Sequence, residues 1–161
     1  MRVVLQRVRY ARVSVDGTTL AAIQGGMLIL VGVGQGDSQA EASSLAEKCA
    51  ELRLFEDSQG KTNLAAGEVG AQALVVSQFT LYADTRKGRR PSFTRAAAPE
   101  AAEPLVRRFA EVLAARGIPT QLGQFGAHMA VELENDGPFT LMLEAEPRPW
   151  PPPAADHSRT S

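Results

Sequence analysis

RVVLQRVRYARVSVDGTTLAAIQGGMLILVGV, residues 2–33, decides the fold of this chain. Residues 2–8 and 9–15 read as strands, with Val3, Leu5, Val13 and Val15 apolar between polar neighbours at a period of two. Asp16-Gly17 follows, a residue pair that tolerates the positive φ values of a two-residue hairpin turn. Residues 18–23 continue as the return strand, so the chain opens as antiparallel sheet. Gly25-Gly26 turns it again, and MLILVGV at 27–33 is a near-continuous apolar run, the pattern of a central strand covered on both faces. Gly32, Gly34 and Gly36 then read as turn residues, because their spacing is not the dinucleotide fingerprint and no Rossmann repeat follows.

Outward from this core the pattern changes period. Helix start signals stand at Asp37 and Ser38, and Ala42, Leu45, Ala46, Cys49 and Leu52 recur at spacings of three and four through Arg53. That predicts an amphipathic helix on one sheet face, with Cys49 as a small core residue on its apolar stripe. Residues 57–61 (DSQGK) read as a turn and 63–70 as a polar loop, and a strand resumes at 73–77. Residues 84–98 read as a basic loop. A second helix runs from Pro99 to Gly117, with Leu105, Val106, Phe109, Val112 and Leu113 at helical spacing and Pro104 early enough to be tolerated. Residues 120–125, 129–134 and 139–144 are expected as closing strands, the last two linked through Asn135-Asp136-Gly137-Pro138 as a hairpin turn. Residues 145–161 (AEPRPWPPPAADHSRTS) are Pro-rich, with Trp150 the one apolar anchor, and read as a disordered tail beyond a single domain at 1–144.

Composition narrows the function classes. The 161 residues are 44% hydrophobic, enough for one core. A single Cys excludes an intrachain disulfide, and with only His128 and His157 it leaves no Cys- or His-based zinc site, so no structural metal is expected. Lys and Arg number 17 against 18 Asp and Glu, a net charge of -1 that argues against a broadly basic DNA binder. The N-terminal stretch alternates charged with apolar residues, which suits neither a signal peptide nor a membrane span, and a cytoplasmic location is expected.

No familiar hydrolase constellation is present: the chain has no G-x-S-x-G, no Walker loop and no H-E-x-x-H. His128, at the entry to an expected strand, reads as a partly exposed strand-end residue or, as the lesser alternative, a general base. Three stretches carry possible chemistry. Ser77-Gln78-Phe79-Thr80-Leu81 ends a buried strand in hydrogen-bonding side chains, which could line a pocket or only satisfy the strand end. Residues 86–95 (RKGRRPSFTR) hold five cations in ten residues, suited to phosphate contacts or to a solvated loop. Asn135-Asp136-Gly137-Pro138 is the third.

Together these stretches resemble the D-aminoacyl-tRNA deacylases of the bacterial and eukaryotic type. The resemblance covers residues 1 to about 144 and rests on the opening MRVVLQRVRYARVSVDG, SQFTL at 77–81, ADTRKGRRPSF at 83–93 and NDGPFT at 135–140, in that order. It implies an α/β, deacylase-like fold: a curved, mostly antiparallel, barrel-like sheet covered by two long helices and paired into a homodimer. The implied activity is hydrolysis of the ester joining a D-amino acid to the 3′ end of tRNA, a proofreading step that releases free tRNA and requires neither metal nor organic cofactor.

Site residues follow from the same resemblance. Ser77, Gln78, Phe79 and Thr80 form the catalytic stretch, in which main-chain amides of Phe79 and Thr80 meet the ester carbonyl and Thr80 positions substrate without acting as a nucleophile. Gly137 and Pro138, joined by a cis peptide, enter the partner subunit's pocket and, with Met129, select the chirality of the substrate, so L-aminoacyl-tRNA is excluded and glycyl-tRNA admitted. Arg86, Lys87, Arg89 and Arg90 approach tRNA phosphates, and Phe79 or Phe125 stacks on the terminal adenine. From a different class comes the rival, a non-enzymatic RNA- or DNA-binding module that uses the basic 86–95 loop; an ester or thioester hydrolase of small metabolites is a third reading.

Overall fold

The computed structural model describes residues 1–145; the remaining stretch expected as a tail, with Trp150 and His157, lies outside the described residues. β1 (Arg2–Val15) turns through Asp16 and Gly17 into β2 (Thr18–Ile23). The two turn residues have φ of 49° and 78°, the left-handed pair that lets a two-residue turn follow the twist of its strands. β3 (Gly26–Gly32) lies antiparallel to the first half of β1, while β2 pairs with the second half.

The first helix, α1 (Gln39–Glu51), begins where the sequence signals it. The Ser38 hydroxyl accepts the Ala40 amide at 3.1 Å, and the Glu41 carboxylate accepts the Ser38 amide at 2.7 Å. Helix and strand part company from expectation directly afterwards. The helix ends at Glu51 and not at Arg53; β4 (Arg53–Glu56) and β5 (Thr62–Ala65) form a separate two-stranded sheet, followed by a short 3₁₀ turn at Ala66–Glu68, where the sequence suggests a helix end, a turn at 57–61 and a loop at 63–70. Both strands have four residues, too few for a periodic signal to emerge.

β6 (Gln72–Ser77) runs parallel to β3, then α2 (Pro99–Ala115) crosses over the sheet, passing through Pro104 and ending before Gly117, whose φ is 81°. β7 (Thr120–Leu122) is parallel to β6 and completes the order β2-β1-β3-β6-β7. The two edges of that order meet again: the Gln121 side chain accepts the Ala22 amide at 3.0 Å and donates to the Ala22 carbonyl at 2.7 Å, so the sheet is nearly closed into a barrel. β8 (Ala130–Glu144) lies antiparallel along the other side of β1. The expected final hairpin is therefore absent. Both halves of this segment pair with the same strand, and Asn135-Asp136-Gly137-Pro138 is a bulge within one strand rather than a turn between two.

Curling the sheet creates two cores. Val3, Leu5, Ile29, Val31 and Val75 meet Leu45, Cys49, Phe109 and Leu113 beneath the helices. Val8, Ala11, Val13, Leu28 and Leu74 pack inside the curl. The apolar run in β3 thus faces a core on each side, as its lack of alternation implies. Cys49 is a core residue, and burial pushes its thiol up to about 12.

Candidate active site

β3 and β6 end together, with Val31 opposite Ser77, and the Gln78 amide still donates to the Val31 carbonyl at 2.8 Å. The chain then leaves the sheet in a 3₁₀ turn, Phe79–Tyr82. This turn can seat closely because β3 ends in glycine. A Cβ on Gly32 would lie 2.9 Å from the Gln78 carbonyl oxygen, and one on Gly34 would lie 2.6 Å from the Tyr82 ring. Gly32 thus serves close approach and not a turn, which corrects the sequence expectation; Gly34 serves both, its carbonyl accepting the Asp37 amide at 3.3 Å to close the turn in which Gly36 has φ 84°.

Asp37 anchors the turn from below. One carboxylate oxygen accepts the Gly34 amide at 2.6 Å and lies 3.5 Å from the Tyr82 hydroxyl; the other meets the Met1 ammonium at 2.7 Å, an ion pair hidden from solvent. Burial, reinforced by the Asp37 charge, pushes the Tyr82 hydroxyl up to about 12.

Above the turn lies a cavity of about 640 Å³. Val31, Val33, Ala102 and Val106 form its apolar depth, Ser77, Gln78 and His128 supply polar groups, and Phe79, Phe93 and Phe125 contribute three aromatic rings. Of the residues expected from sequence, it brings together Ser77, Gln78, Phe79, Phe125 and Met129. Thr80 is exposed and stands outside the lining, its hydroxyl accepting a hydrogen bond from the Gln78 side-chain amide. No charged group hydrogen-bonds to that hydroxyl among the described residues. Phe79 and Thr80 open the 3₁₀ turn, so their amides have no intrahelical acceptor.

Gly137 and Pro138 stand apart from this cavity, and the peptide between them is cis. Opposite their bulge sits Arg7, a 6%-exposed cation inside the sheet. Its guanidinium donates to the main-chain carbonyls of Leu54 (2.6 Å), Asp136 (3.1 Å) and Gly137 (3.4 Å), lies 3.1 Å from the Asp136 carboxylate and covers the Phe139 ring at 4.5 Å. From the other side, the Asn135 side-chain amide donates to the carbonyls of Arg7 and Phe139. Five polar contacts and one ring thus hold the bulge in a single shape.

The basic stretch is a closed hairpin. Asp84 and Ser92 exchange main-chain hydrogen bonds of 2.8 and 3.0 Å. Arg86 is as exposed as the others but is paired: it forms a fork on the Asp84 carboxylate, at 2.9 and 2.6 Å, and holds that carboxyl well below the usual range. Lys87, Arg89 and Arg90 are exposed and enter no ion pair among the described residues.

The sequence model of a family described as "D-Tyr-tRNA(Tyr) deacylase" matches residues 4–144. The chain belongs to this family. A D-aminoacyl-tRNA deacylase from Thermomicrobium roseum is 59% identical over 90% of this chain and 94% of its own length, and one from Chloroflexus aurantiacus is 59% identical over 90% and 91%. Among solved structures, one described as "c-Myc DNA Unwinding Element Binding Protein" aligns at a TM-score of 0.85, with 38% identity over 91% of this chain and 99% of its own. A probable eukaryotic D-amino acid tRNA deacylase shares the fold at a TM-score of 0.74, with 18% identity over 88% and 97%.

In this deacylase-family chain, sequence reasoning missed Arg7 and Phe93. Arg7 had a signal: it continues the inward phase of Val3 and Leu5, which puts a cation where the alternation calls for an apolar residue. Phe93 lay within a stretch read for its charge, and nothing local marks it as a cavity residue.

Proposed function

We propose that this cavity is where the ester of a D-aminoacyl-tRNA is hydrolysed. Family membership makes the chain a D-aminoacyl-tRNA deacylase, an ester hydrolase of tRNA proofreading. The observation that carries the site assignment is the convergence of Ser77, Gln78, Phe79, Phe125 and Met129 on one pocket of about 640 Å³, a volume suited to an aminoacylated nucleoside.

Water adds to the ester carbonyl carbon, the oxyanion draws hydrogen bonds from the Phe79 and Thr80 amides, and the bond from that carbon to the ribose 3′ oxygen breaks. One proton of the water leaves on the ribose oxygen, and the other passes to solvent as the D-amino acid departs as its carboxylate. An aminoacyl ester is already activated, and the neighbouring 2′-hydroxyl can orient the water, so positioning supplies most of what the reaction requires. Gln78 holds Thr80 through its hydroxyl, and Phe79 or Phe125 offers a face to the terminal adenine. Thr80 itself has no adjacent base and stays uninvolved as a nucleophile. Lys87, Arg89 and Arg90 meet acceptor-stem phosphates, a contact indifferent to sequence; Arg86 joins them, since its ion pair with Asp84 is exposed and holds it only loosely.

The chiral filter is supplied in trans. The bulge at Gly137 and Pro138 is remote from the cavity of its own subunit and rigidly braced, which supports its insertion into the partner's cavity in a symmetric homodimer. With ammonium and ester held, inversion at the α-carbon swings an L side chain into that main-chain wall, while glycine has nothing to clash. Single-turnover deacylation of matched D-, L- and glycyl-tRNA tests the proposal: cleavage of the D and glycyl substrates with the L ester spared is expected, and cleavage of the L ester overturns it. Mixing Gln78→Ala with Gly137→Ala subunits tests the trans arrangement, since mixed dimers regain one intact site only if the bulge acts across subunits. A DNA-binding reading draws on the description of one structural neighbour; specific duplex binding with no deacylation would favour it.

A further inference from the structure

We propose that Phe93 is a positioning residue that couples the cationic hairpin to the segment carrying Phe79 and Thr80, so that contact with the tRNA body improves alignment at the ester. The inference rests on the reading that Lys87, Arg89 and Arg90 bind tRNA phosphates. Three observations carry it. First, the hairpin is stiff: the Asp84–Ser92 hydrogen bonds close its base, and the Arg86 fork and the Arg86 amide both engage the Asp84 carboxylate. Second, Phe93 comes directly after that closure and its ring meets Phe79 edge to face, with centroids 5.1 Å apart and planes at 72°. Third, the chain beyond Phe93 is pinned as well. The Gln35 side chain donates to the Thr94 carbonyl at 2.6 Å, the Gln35 amide donates to the Arg95 carbonyl at 3.0 Å, and the Ala97 amide donates to the Val33 carbonyl at 2.9 Å.

Phe93 is therefore held on both sides, whereas Phe79 is 57% exposed and packs its ring edge to face with Phe93. A displacement of the hairpin reaches the turn that carries the Phe79 and Thr80 amides by two short routes, along the chain through Ala83 and across the Phe93–Phe79 ring contact, and the second is the one that Phe93→Leu removes. Phosphates gripped by Arg89 and Arg90 bias the hairpin position, and the aromatic pair passes that bias to the amides. Such coupling raises turnover on full tRNA and does nothing for a substrate without phosphates.

The test compares D-tyrosyl-tRNA with D-tyrosyl-adenosine, which lacks the phosphates, in wild type, Phe93→Leu and Phe93→Tyr. Phe93→Leu keeps apolar volume but loses the aromatic edge, and kcat on tRNA is expected to fall by about twofold to tenfold, the range spanned by such a ring pair. KM for tRNA should stay within about twofold; because Phe93 also lines the cavity, turnover of D-tyrosyl-adenosine should fall too but by a clearly smaller factor than turnover of tRNA, and Phe93→Tyr should restore the wild-type ratio of the two. Equal losses on both substrates would reduce Phe93 to a structural residue and overturn the proposal, as would a rise in KM alone or no effect. If Arg89→Ala/Arg90→Ala leaves KM and its salt dependence unaltered, the phosphate reading fails and the coupling falls with it. When that variant behaves as expected but Phe93→Leu does not, only the coupling fails.

Discussion

Gly137→Ala separates what the fold needs from what the reaction needs. A Cβ built at 137 meets only the Asn135 side-chain oxygen, at 3.8 Å, and the residue is not in the left-handed region. Nothing inside the subunit demands glycine there. Alanine should leave stability unchanged or raise it, because it removes about 0.4–1 kcal/mol of freedom from the unfolded chain. For a chain of this length that corresponds to a Tm increase of no more than about 4 °C. Activity should move the opposite way. If the Gly137 main chain closes on the substrate in the partner's cavity, a methyl group intrudes on a close fit, a fault that costs about 1–3 kcal/mol. The expected loss in kcat/KM for D-tyrosyl-tRNA is thus about 5-fold to 150-fold. Single-turnover deacylation of matched D- and glycyl-tRNA, alongside thermal unfolding of the same preparations, measures both sides. An unaffected D rate would refute the reasoning, and so would a Tm that falls by many degrees, since the activity loss would then report damaged folding.

Other substitutions probe the remaining roles. Arg89→Ala/Arg90→Ala should raise KM for charged tRNA and make its dependence on salt shallower by about one to two units of logarithmic slope, because fewer counterions are released; unchanged values mark the hairpin as solvated surface. Thr80→Ala should retain most single-turnover activity, and a trapped acyl ester on the Thr80 hydroxyl would contradict the positioning role. Glu41→Ala should lower stability at pH 7 by about 1 kcal/mol through loss of the capping box. Burial alone would raise the Glu41 carboxyl, but hydrogen bonds from Ser38 outweigh it and hold the group below its ordinary value. Stabilisation by a lowered carboxyl is complete above its unfolded value of about 4.3 and disappears as pH drops through the folded one. Urea unfolding from pH 7 to pH 3 should therefore show the wild-type advantage shrinking in acid, and a constant gap would exclude the assignment.

Elements with a local cause were legible. The hairpin at Asp16-Gly17 needs only two residues that accept positive φ, and α1 needs only a capping box before an apolar stripe. β3 could be read as central because its apolar run lacks alternation. What escaped depends on partners distant in sequence. β4 and β5 exist because Arg53 and Phe55 find Ala65 and Leu64, and neither four-residue segment announces that pairing. The close approach at Gly32 and Gly34 escaped for the same reason: the atoms that exclude their side chains belong to residues 78–82.

The Gly137-Pro138 bulge shows the limit most clearly. Turn chemistry was read correctly in kind, since Asn, Asp, Gly and Pro all favour departure from a regular strand. The same four residues can join two strands or bulge from one, and local propensity does not distinguish these outcomes. The choice is made by β1, whose Gln6 pairs with Thr140 and whose Val8 pairs with Asn135, so that the single residue Arg7 faces Asp136, Gly137, Pro138 and Phe139. A surplus of three residues must leave the ladder, and the buried guanidinium then takes up carbonyls that the ladder no longer satisfies. Arg7 is thus an apparent fault in the apolar alternation of one strand and the condition for the irregularity of another. Neither feature is explicable alone, and their pairing connects a residue at the start of the chain to the motif proposed to sort substrates near its end.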